Sequence, residues 1–306
     1  MRRSLRILFI LAFTPPIMAA GMGWLAGPSF LHPLRRQLSP DLIKEADSAF
    51  AQIGTHREEF DVLVADGVLL RGWKVRAVQP NGNWVLVFHG VADNRVGVVG
   101  QSEVLLRAGY NVVMMDARAH GASDGTMATY GWLERNDSRA VVDALEKMEH
   151  PRHLFALGES MGAGIALQSA AVEPRIEVVV AEASFASLRE AAYDYAGLQR
   201  YPLLGMTLLA PGAWTMVYHG ELAAGFPAGD VSPERAVAAR SFPVLLICDA
   251  GDTVLPCRHT KRIYAATRGP KQMWVVPGAF HTAALGYEPA EFRRRVLEFF
   301  ATYGAS

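Results

Sequence analysis

The chain has 306 residues, and its 30 lysines and arginines equal its 30 aspartates and glutamates, which gives a formal net charge of zero. This length fits one globular domain with a modest appendage, and 51% hydrophobic residues exclude a disordered or collagen-like chain. The balanced charge, with an isoelectric point near 7.1, also argues against nucleic acid as a partner, since nucleic-acid-binding proteins usually carry a basic face.

The N-terminal segment, residues 1–27, combines three arginines with an uncharged apolar stretch. As a helix, residues 7–27 would span roughly 32 Å, close to the roughly 30 Å hydrocarbon core of a membrane. We therefore expect a single-pass membrane anchor, with the rest of the chain on the non-cytoplasmic side because basic residues stay in the cytoplasm. The alternatives are a cleavable signal peptide, which would make the protein secreted or periplasmic, and a buried N-terminal helix.

The remainder divides into a polar stretch, residues 28–54, interpreted as a linker or a surface helix, and one domain, residues 55–306. Apolar runs at 60–64 and 68–75 flank an Asp-Gly pair, which is typical of an antiparallel hairpin. Apolar strands then alternate with helical segments, and these strands are predicted near 84–88, 112–116, 154–157, 178–181, 244–248 and 273–276. This order predicts an α/β fold with a mainly parallel sheet, an N-terminal antiparallel hairpin and helices on both faces.

An insertion at about residues 186–240 interrupts this alternation. It is too long for an ordinary connection between a helix and a strand, and it is rich in tyrosine, leucine, methionine and tryptophan. We interpret it as a helical lid over a site, with a surplus helix pair packed on the core as the alternative.

The chain has two cysteines, Cys248 and Cys257, so neither a disulfide framework nor a zinc pattern is predicted. A bridge between them depends on a Cα separation that the sequence leaves open. No metal and no organic cofactor is expected.

Two segments match the Gly-x-Ser-x-Gly pattern, GASDG at 121–125 and GESMG at 158–162. A nucleophilic serine of this type needs a strand before it, a sharp turn, and a helix after it. Ser160 follows an apolar strand and precedes an apolar helical run, whereas Ser123 lies in a loop rich in glycine, alanine and serine. Ser160 is therefore the predicted nucleophile, and Ser123 is interpreted as a turn residue.

A serine becomes a strong nucleophile beside a base that an acid orients. His281 follows the last predicted strand and is the predicted base. Asp252 lies in the turn after the preceding strand and is the preferred acid, with Asp249 and Glu182 as alternatives. The expected order along the chain is serine, aspartate, histidine.

The oxyanion of an acyl-transfer intermediate needs two backbone donors. The N–H of Met161 follows the nucleophile directly, and the N–H of Val91 lies after the strand ending at Phe88, so these two are predicted to form the oxyanion hole. Gly90 allows a close backbone approach. His89 is interpreted as a structural turn residue, with a side-chain role in the oxyanion site as the alternative.

The sequence resembles the α/β-hydrolase superfamily over residues 60–303. The resemblance rests on FHG at 88–90, DARAHGAS at 116–123, GESMG at 158–162, ASF at 183–185, the acid loop around Asp252, and GAFH at 278–281. Within the superfamily it is similar to the single-pass hydrolases grouped with serine aminopeptidase-like and lysophospholipase-like proteins. The DARAHGAS segment looks like that family's structural loop, which implies structural roles for His120 and Ser123.

These observations predict a serine hydrolase that cleaves an ester, thioester or amide of a hydrophobic small-molecule substrate through an acyl-enzyme, most simply a carboxylesterase (EC 3.1.1 type) or a lysophospholipase-like enzyme. One alternative is a serine aminopeptidase-like enzyme in which Glu221 or Asp230 receives a free amine. Another is a non-catalytic binding protein that keeps the fold. The oligomeric state is left open.

Overall fold

A computed structural model of the protein describes residues 2–304, and within that range eight strands form one sheet in the order β1-β4-β6-β5-β7-β8-β9-β10. The strands are β1 (Arg57–Glu59), β2 (Val62–Leu63), β3 (Leu69–Leu70), β4 (Gly72–Val75), β5 (Trp84–Phe88), β6 (Asn111–Met115), β7 (Leu154–Glu159), β8 (Ile176–Glu182), β9 (Val244–Asp249) and β10 (Lys271–Val276). Strands β1 and β4 are antiparallel to their neighbours, and the remaining six run parallel.

The predicted hairpin is present as a separate pair, with β2 antiparallel to β3. The predicted run at 68–75 divides into β3 and β4 at Arg71, whose backbone N–H donates to the Oγ of Ser123 at 2.8 Å instead of to a strand. The prediction of an α/β fold with a mainly parallel sheet and an antiparallel hairpin is confirmed.

Helices cover both faces of the sheet. They are α1 (Arg2–Ala26), α2 (Pro40–Gln52), α3 (Val99–Arg107), α4 (Glu134–Glu149), α5 (Met161–Val172), α6 (Leu188–Tyr195), α7 (Pro202–Leu204), α8 (Ala210–Ala224), α9 (Pro233–Ala239), α10 (Arg258–Ala266), α11 (Ala284–Tyr287) and α12 (Pro289–Tyr303). One apolar core packs α2, α3 and α12 against the sheet, and a second packs α4, α5 and α9 against its other face. Because both faces are buried, the central strands are almost uniformly apolar.

The stretch interpreted as a linker contains helix α2 and a short 3₁₀ helix, Gly27–Leu31. Helix α2 begins after Ser39, whose Oγ accepts the N–H of Leu42, and proline at the first helical position supports the same start. Phe50 of this helix is completely buried in the core. Burying an aromatic side chain stabilises the fold by roughly 1.5–3 kcal/mol, so α2 contributes to the packing of the domain.

The insertion contains α6, α7, α8 and α9, and helix α1 packs along α8. The two helices approach closely because Gly23 and Gly212 leave no room for a side chain. Thr215 Oγ1 lies 2.7 Å from the carbonyl oxygen of Ala20 and donates to it. The N-terminal segment is thus held against the insertion by its backbone as well as by its side chains.

The prediction of a single-pass membrane anchor is wrong. Among the residues that the structure describes, no helix combines the length and the apolarity that crossing a bilayer requires. Helix α1 packs on α8 instead, and Gly23 and Gly212 allow the two backbones to approach closely. The non-cytoplasmic location predicted from that anchor is withdrawn with it.

Candidate active site

Ser160 lies in a sharp turn between the end of β7 and the start of α5. Its backbone has φ 51° and ψ −116°, a strained conformation that persists only where the surrounding structure imposes it. The turn is tight because Gly158 and Gly162 lie against backbone atoms that leave no space for a side chain. The serine therefore stands at the N-terminus of a helix, where the helix dipole favours negative charge.

Ser160, His281 and Asp252 form a hydrogen-bonded line. The Oγ of Ser160 lies 2.8 Å from Nε2 of His281, and Nδ1 of His281 lies 2.6 Å from Oδ2 of Asp252. The other carboxylate oxygen, Oδ1, accepts the backbone N–H groups of Val254 at 2.7 Å and Leu255 at 2.9 Å. Because the carboxylate only accepts, Nδ1 carries the ring proton and Nε2 accepts from the serine hydroxyl.

The two alternative acids, Asp249 and Glu182, make no hydrogen bond to this imidazole. Oδ2 of Asp249 accepts the N–H of Thr282, and Oε1 of Glu182 accepts the N–H of Ala284, both at 2.9 Å. Burial raises the pKa of Asp249 to about 6, and burial beside Asp249 raises the pKa of Glu182 well above its usual range. Asp252 is therefore the carboxyl that contacts His281, whereas Asp249 and Glu182 bind the backbone that follows the histidine.

Val91 and Met161, the predicted oxyanion donors, line the same cavity as Ser160. Met161 is the first residue of α5, so its N–H has no partner within the helix. Among the described residues, neither of these two N–H groups donates to an acceptor. Two unpaired N–H donors at the cavity that contains a serine hydroxyl have the arrangement that can bind an oxyanion.

The cavity beside Ser160 has a volume of about 440 Å³ and a mainly apolar wall. The insertion supplies Leu188 and Met216, and the chain after β8 supplies Phe185. No acidic, lysine or arginine side chain belongs to the described lining, and His32 is its one titratable group besides tyrosines. An apolar cavity of this size with a few polar groups at one end is typical of a small-molecule site.

Comparison with known proteins shows which family the chain belongs to. A family model described as serine aminopeptidase, S33, matches residues 79–216. The uncharacterized protein Rv2307c of Mycobacterium tuberculosis is 30% identical over 226 residues, which are 72% of this chain and 72% of that protein. The chain belongs to the α/β-hydrolase superfamily. The resemblance stated from the motifs is therefore confirmed.

Two further comparisons concern a related sequence and a shared fold. The lysophosphatidylserine lipase ABHD12 of Danio rerio is 27% identical over 203 residues, which are 63% of this chain and 49% of that protein. The esterase Pf2001 of Pyrococcus furiosus has the same fold with a TM-score of 0.71 and 22% identity, covering 90% of this chain and 99% of that one. The esterase thus shares the fold of this hydrolase over nearly its whole length.

The second Gly-x-Ser-x-Gly serine of the hydrolase, Ser123, is fully buried and lies in a different network. Its Oγ donates to the carbonyl of Asp116 at 2.7 Å and accepts the N–H of Arg71. His120 beside it has Nδ1 2.9 Å from the carbonyl of Arg118, and burial lowers its pKa to about 4. Both side chains stabilise the loop between β6 and α4.

His89 also has a structural environment. Its Nε2 accepts the N–H of Ala117 at 3.0 Å, and its Nδ1 lies 2.7 Å from the carbonyl of Gly90. Both ring nitrogens are therefore occupied, and neither is left to serve as an oxyanion donor. The side chain ties the loop after β5 to the loop after β6.

Sequence reasoning missed one wall of the hydrolase cavity, which is formed by residues 29–34. Leu31 is completely buried, and its carbonyl accepts the N–H of Ala128 at 2.8 Å. The hydroxyl of Tyr130 donates to the carbonyl of Phe30 at 2.6 Å. The apolar pair Phe30-Leu31 between two prolines was the signal available, but it pointed to no particular partner.

Cys248 and Cys257 form a disulfide with a Cα separation of 5.5 Å. The bridge joins the end of β9 to the residue before α10. It closes the short loop that carries Asp252. Among the described residues no group of three or more histidine, cysteine, aspartate or glutamate side chains is arranged to hold a metal ion.

Proposed function

We propose that the protein is a serine hydrolase that cleaves an ester or thioester of an apolar acyl group through an acyl-enzyme. The observation that carries the proposal is the hydrogen-bonded line from Asp252 through His281 to Ser160, which ends at an apolar cavity. Cleavage of an amide would use the same three groups, so these groups do not separate the two reactions. We prefer carboxylesterase or lysophospholipase-like activity because the cavity is apolar.

In the acylation step, Nε2 of His281 takes the hydroxyl proton as Oγ of Ser160 attacks the acyl carbon. The resulting imidazolium is stabilised by the carboxylate of Asp252, which also keeps the ring in the required tautomer. The imidazolium then gives the proton to the leaving alcohol or thiol as the bond to the acyl carbon breaks. The products of this step are the free leaving group and an acyl-serine.

In the deacylation step, a water molecule takes the place of the leaving group. His281 accepts a proton from this water as its oxygen attacks the acyl carbon, and the proton returns to Oγ of Ser160 when the acid departs. In both steps negative charge develops on the former carbonyl oxygen, and the N–H groups of Val91 and Met161 are the proposed donors to it. Removing one such donor costs about 10²–10³ in kcat in enzymes of this kind.

The choice of an acyl substrate rests on the wall of the cavity. Apolar side chains from the insertion and from residues 29–34 line the cavity. Burying a hydrocarbon chain against them stabilises the complex by roughly 0.8 kcal/mol per methylene. The described lining offers no acidic, lysine or arginine side chain to bind a charged substrate. The relation to a lysophosphatidylserine lipase and to an esterase supports the same class.

A fluorophosphonate probe tests the proposal, because it reacts covalently with an activated serine. We expect the wild-type protein to be labelled and Ser160→Ala to be unlabelled. Ser123→Ala is the matched control, since it removes the serine of the other Gly-x-Ser-x-Gly segment and should remain labelled. A wild-type protein that is folded but resists the probe contradicts the proposal and favours a non-catalytic binding protein.

The serine aminopeptidase family model supports a second candidate, cleavage of a peptide at a free amino terminus. The two carboxylates predicted to receive the amine are both occupied, since Glu221 pairs with Arg189 at 2.7 Å and Asp230 pairs with Arg235 at 3.1 Å. Esterase activity is therefore preferred. Hydrolysis rates for a series of p-nitrophenyl esters and for aminoacyl anilides separate the two, because an aminopeptidase should prefer the anilides with a free amine.

A further inference from the structure

Three buried carboxyl groups lie behind the catalytic line, at the carboxyl ends of neighbouring parallel strands. They belong to Glu159 at the end of β7, Glu182 at the end of β8 and Asp249 at the end of β9. Glu159 accepts from the side-chain amide of Gln101 at 2.8 Å. The proposed mechanism uses none of the three, although burying a carboxylate is costly unless it is paired or remains protonated.

Glu182 and Asp249 hold the backbone that follows the catalytic histidine. Asp249 Oδ2 accepts the N–H of Thr282, and Glu182 Oε1 accepts the N–H of Ala284. Thr282 has a positive φ of 56°, a conformation that a residue with a β-branched side chain adopts only when contacts impose it. The two carboxyls are thus anchors for the turn that begins at His281.

The two carboxyls also contact each other. Their anchors, the N–H groups of Thr282 and Ala284, are two residues apart and bring the two side chains next to each other. Oδ1 of Asp249 is buried and has no hydrogen-bond partner among the described residues, and the nearby N–H of Ala283 donates to the carbonyl of Phe280. Two carboxylates cannot satisfy that contact, because each is an acceptor only. A single proton between them supplies the missing donor and leaves one negative charge on the pair.

The surroundings of the pair oppose a second charge. The carboxyls of Glu159 and Asp252 oppose further negative charge on the pair, whereas the imidazole of His281 favours the charged form of Asp249. No lysine or arginine among the described residues bonds to the pair. Burial raises the pKa of Glu159 to about 8, with the charge of Asp93 adding to the effect. Burial first, and then the charge of Asp249, raise the pKa of Glu182.

We infer that Glu182 and Asp249 are positioning residues of the hydrolase, whose shared proton holds the 281–284 turn and thereby keeps the imidazole of His281 against Ser160. This inference rests on the proposed function and deepens it. With the proton present, Glu182 donates to Asp249 Oδ1, and both anchors to the backbone remain. Loss of the proton at alkaline pH places two negative charges in contact, and their repulsion separates the anchors.

Two substitutions at Glu182 separate positioning from simple packing. Glu182→Gln keeps an acceptor for Ala284 and a permanent N–H donor for Asp249, so we expect kcat close to that of the wild type. Glu182→Ala removes both contacts, and we expect kcat to fall by about 10- to 100-fold with KM nearly unchanged, the cost of a misplaced catalytic group. Equal kcat values for the two variants overturn the inference.

The pH profile of kcat is the second readout. Wild-type kcat should fall at alkaline pH as the pair loses its proton, and this fall should be absent in Glu182→Gln, whose donor does not titrate. The matched control is Glu173→Gln, which changes a buried carboxyl that accepts from Arg175 at the C-terminal end of α5, opposite the end that carries Ser160; its profile should keep the alkaline fall. An alkaline fall that persists in Glu182→Gln overturns the inference.

An infrared measurement tests the pair without any turnover. At mildly alkaline pH the wild-type protein should show a carbonyl band of protonated carboxyls that loses intensity in Glu182→Gln and keeps it in Glu173→Gln. An unchanged band overturns the shared proton. If the wild-type protein shows this band but neither hydrolyses esters nor reacts with a fluorophosphonate, the proposed function fails while the carboxyl pair stands.

Discussion

The substitution Asp252→Asn tests the catalytic line most sharply, because the structure determines how the new amide would be oriented. Oδ1 at this position accepts two backbone N–H groups, from Val254 and Leu255, so the amide oxygen must stay there. The amide nitrogen then faces Nδ1 of His281 and donates to it. The imidazole is forced into the other tautomer, with its proton on Nε2 and directed at Ser160.

In that tautomer Nε2 has no lone pair for the serine hydroxyl, so general-base catalysis is lost while the geometry is kept. We expect kcat to fall by about 10⁴, the loss seen when a triad aspartate of another serine hydrolase is replaced in this way, which corresponds to about 5.4 kcal/mol of transition-state stabilisation. Thermal unfolding should be almost unchanged, because the two backbone bonds remain.

The assay is the hydrolysis of a p-nitrophenyl ester, with kcat and KM determined separately. Asp249→Asn is the matched comparison, since the amide introduced there would still accept from Thr282 and donate to Glu182, and we expect it to lose far less activity than Asp252→Asn. Asp252→Asn with more than about a tenth of the wild-type kcat, against the expected loss of about 10⁴, refutes the assignment of the acid. So does a larger loss in Asp249→Asn.

Three further predictions concern other parts of the molecule. Replacing Cys248 and Cys257 by alanine should lower the free energy of unfolding in urea by about 2.6 kcal/mol, the loop-closure term for a separation of 9 residues; an unchanged midpoint would show that the bridge adds no stability. Ser123→Ala should keep the kcat of the wild type but lose about 1–3 kcal/mol of stability, since it leaves a buried backbone N–H and a carbonyl without their partner; a large loss of kcat at full stability would give this serine a catalytic role. Met216→Trp should fill the cavity and reduce kcat/KM for long-chain esters by about tenfold relative to short-chain esters, which corresponds to the burial of roughly two methylenes. Met216→Leu should leave this ratio unchanged. Identical chain-length profiles for the two variants would place the acyl chain elsewhere.

The proximity of the three candidate site residues could be predicted more fully than most details of the fold. Ser160, Asp252 and His281 each follow a strand of a parallel sheet, and the carboxyl ends of parallel strands meet at one edge. Local pattern therefore sufficed to bring them together in the prediction, and the structure joins them by hydrogen bonds of 2.8 and 2.6 Å. The serine of the other motif was separated by the same logic, because Ser123 lies inside the long loop between β6 and α4 and not in a sharp turn that joins a strand directly to a helix.

The N-terminal segment shows the limit of such reasoning. Its length and lack of charge pointed to a membrane anchor, but the same residues form α1 and pack on α8, which lies nearly two hundred positions later in the chain (Thr215 to Ala20, a separation of 195). The wall of the cavity at residues 29–34 was missed for the same reason. Neither the packing of α1 on α8 nor the contact of residues 29–34 with the cavity produces a periodic pattern in the sequence around the residues involved.

By itself the sequence determined most of the strands and helices and the chain order of the three candidate site residues, because strand pattern, turn glycines and helix starts are local properties. Only the tertiary structure decided what covers the candidate site, that Asp252 and not Asp249 or Glu182 contacts His281, and that Cys248 and Cys257 are joined. These depend on distances between residues remote in sequence, and packing rather than local propensity sets such distances. The pair formed by Glu182 and Asp249 is likewise a property of the tertiary structure, because the two carboxyls interact only where the buried ends of β8 and β9 lie side by side.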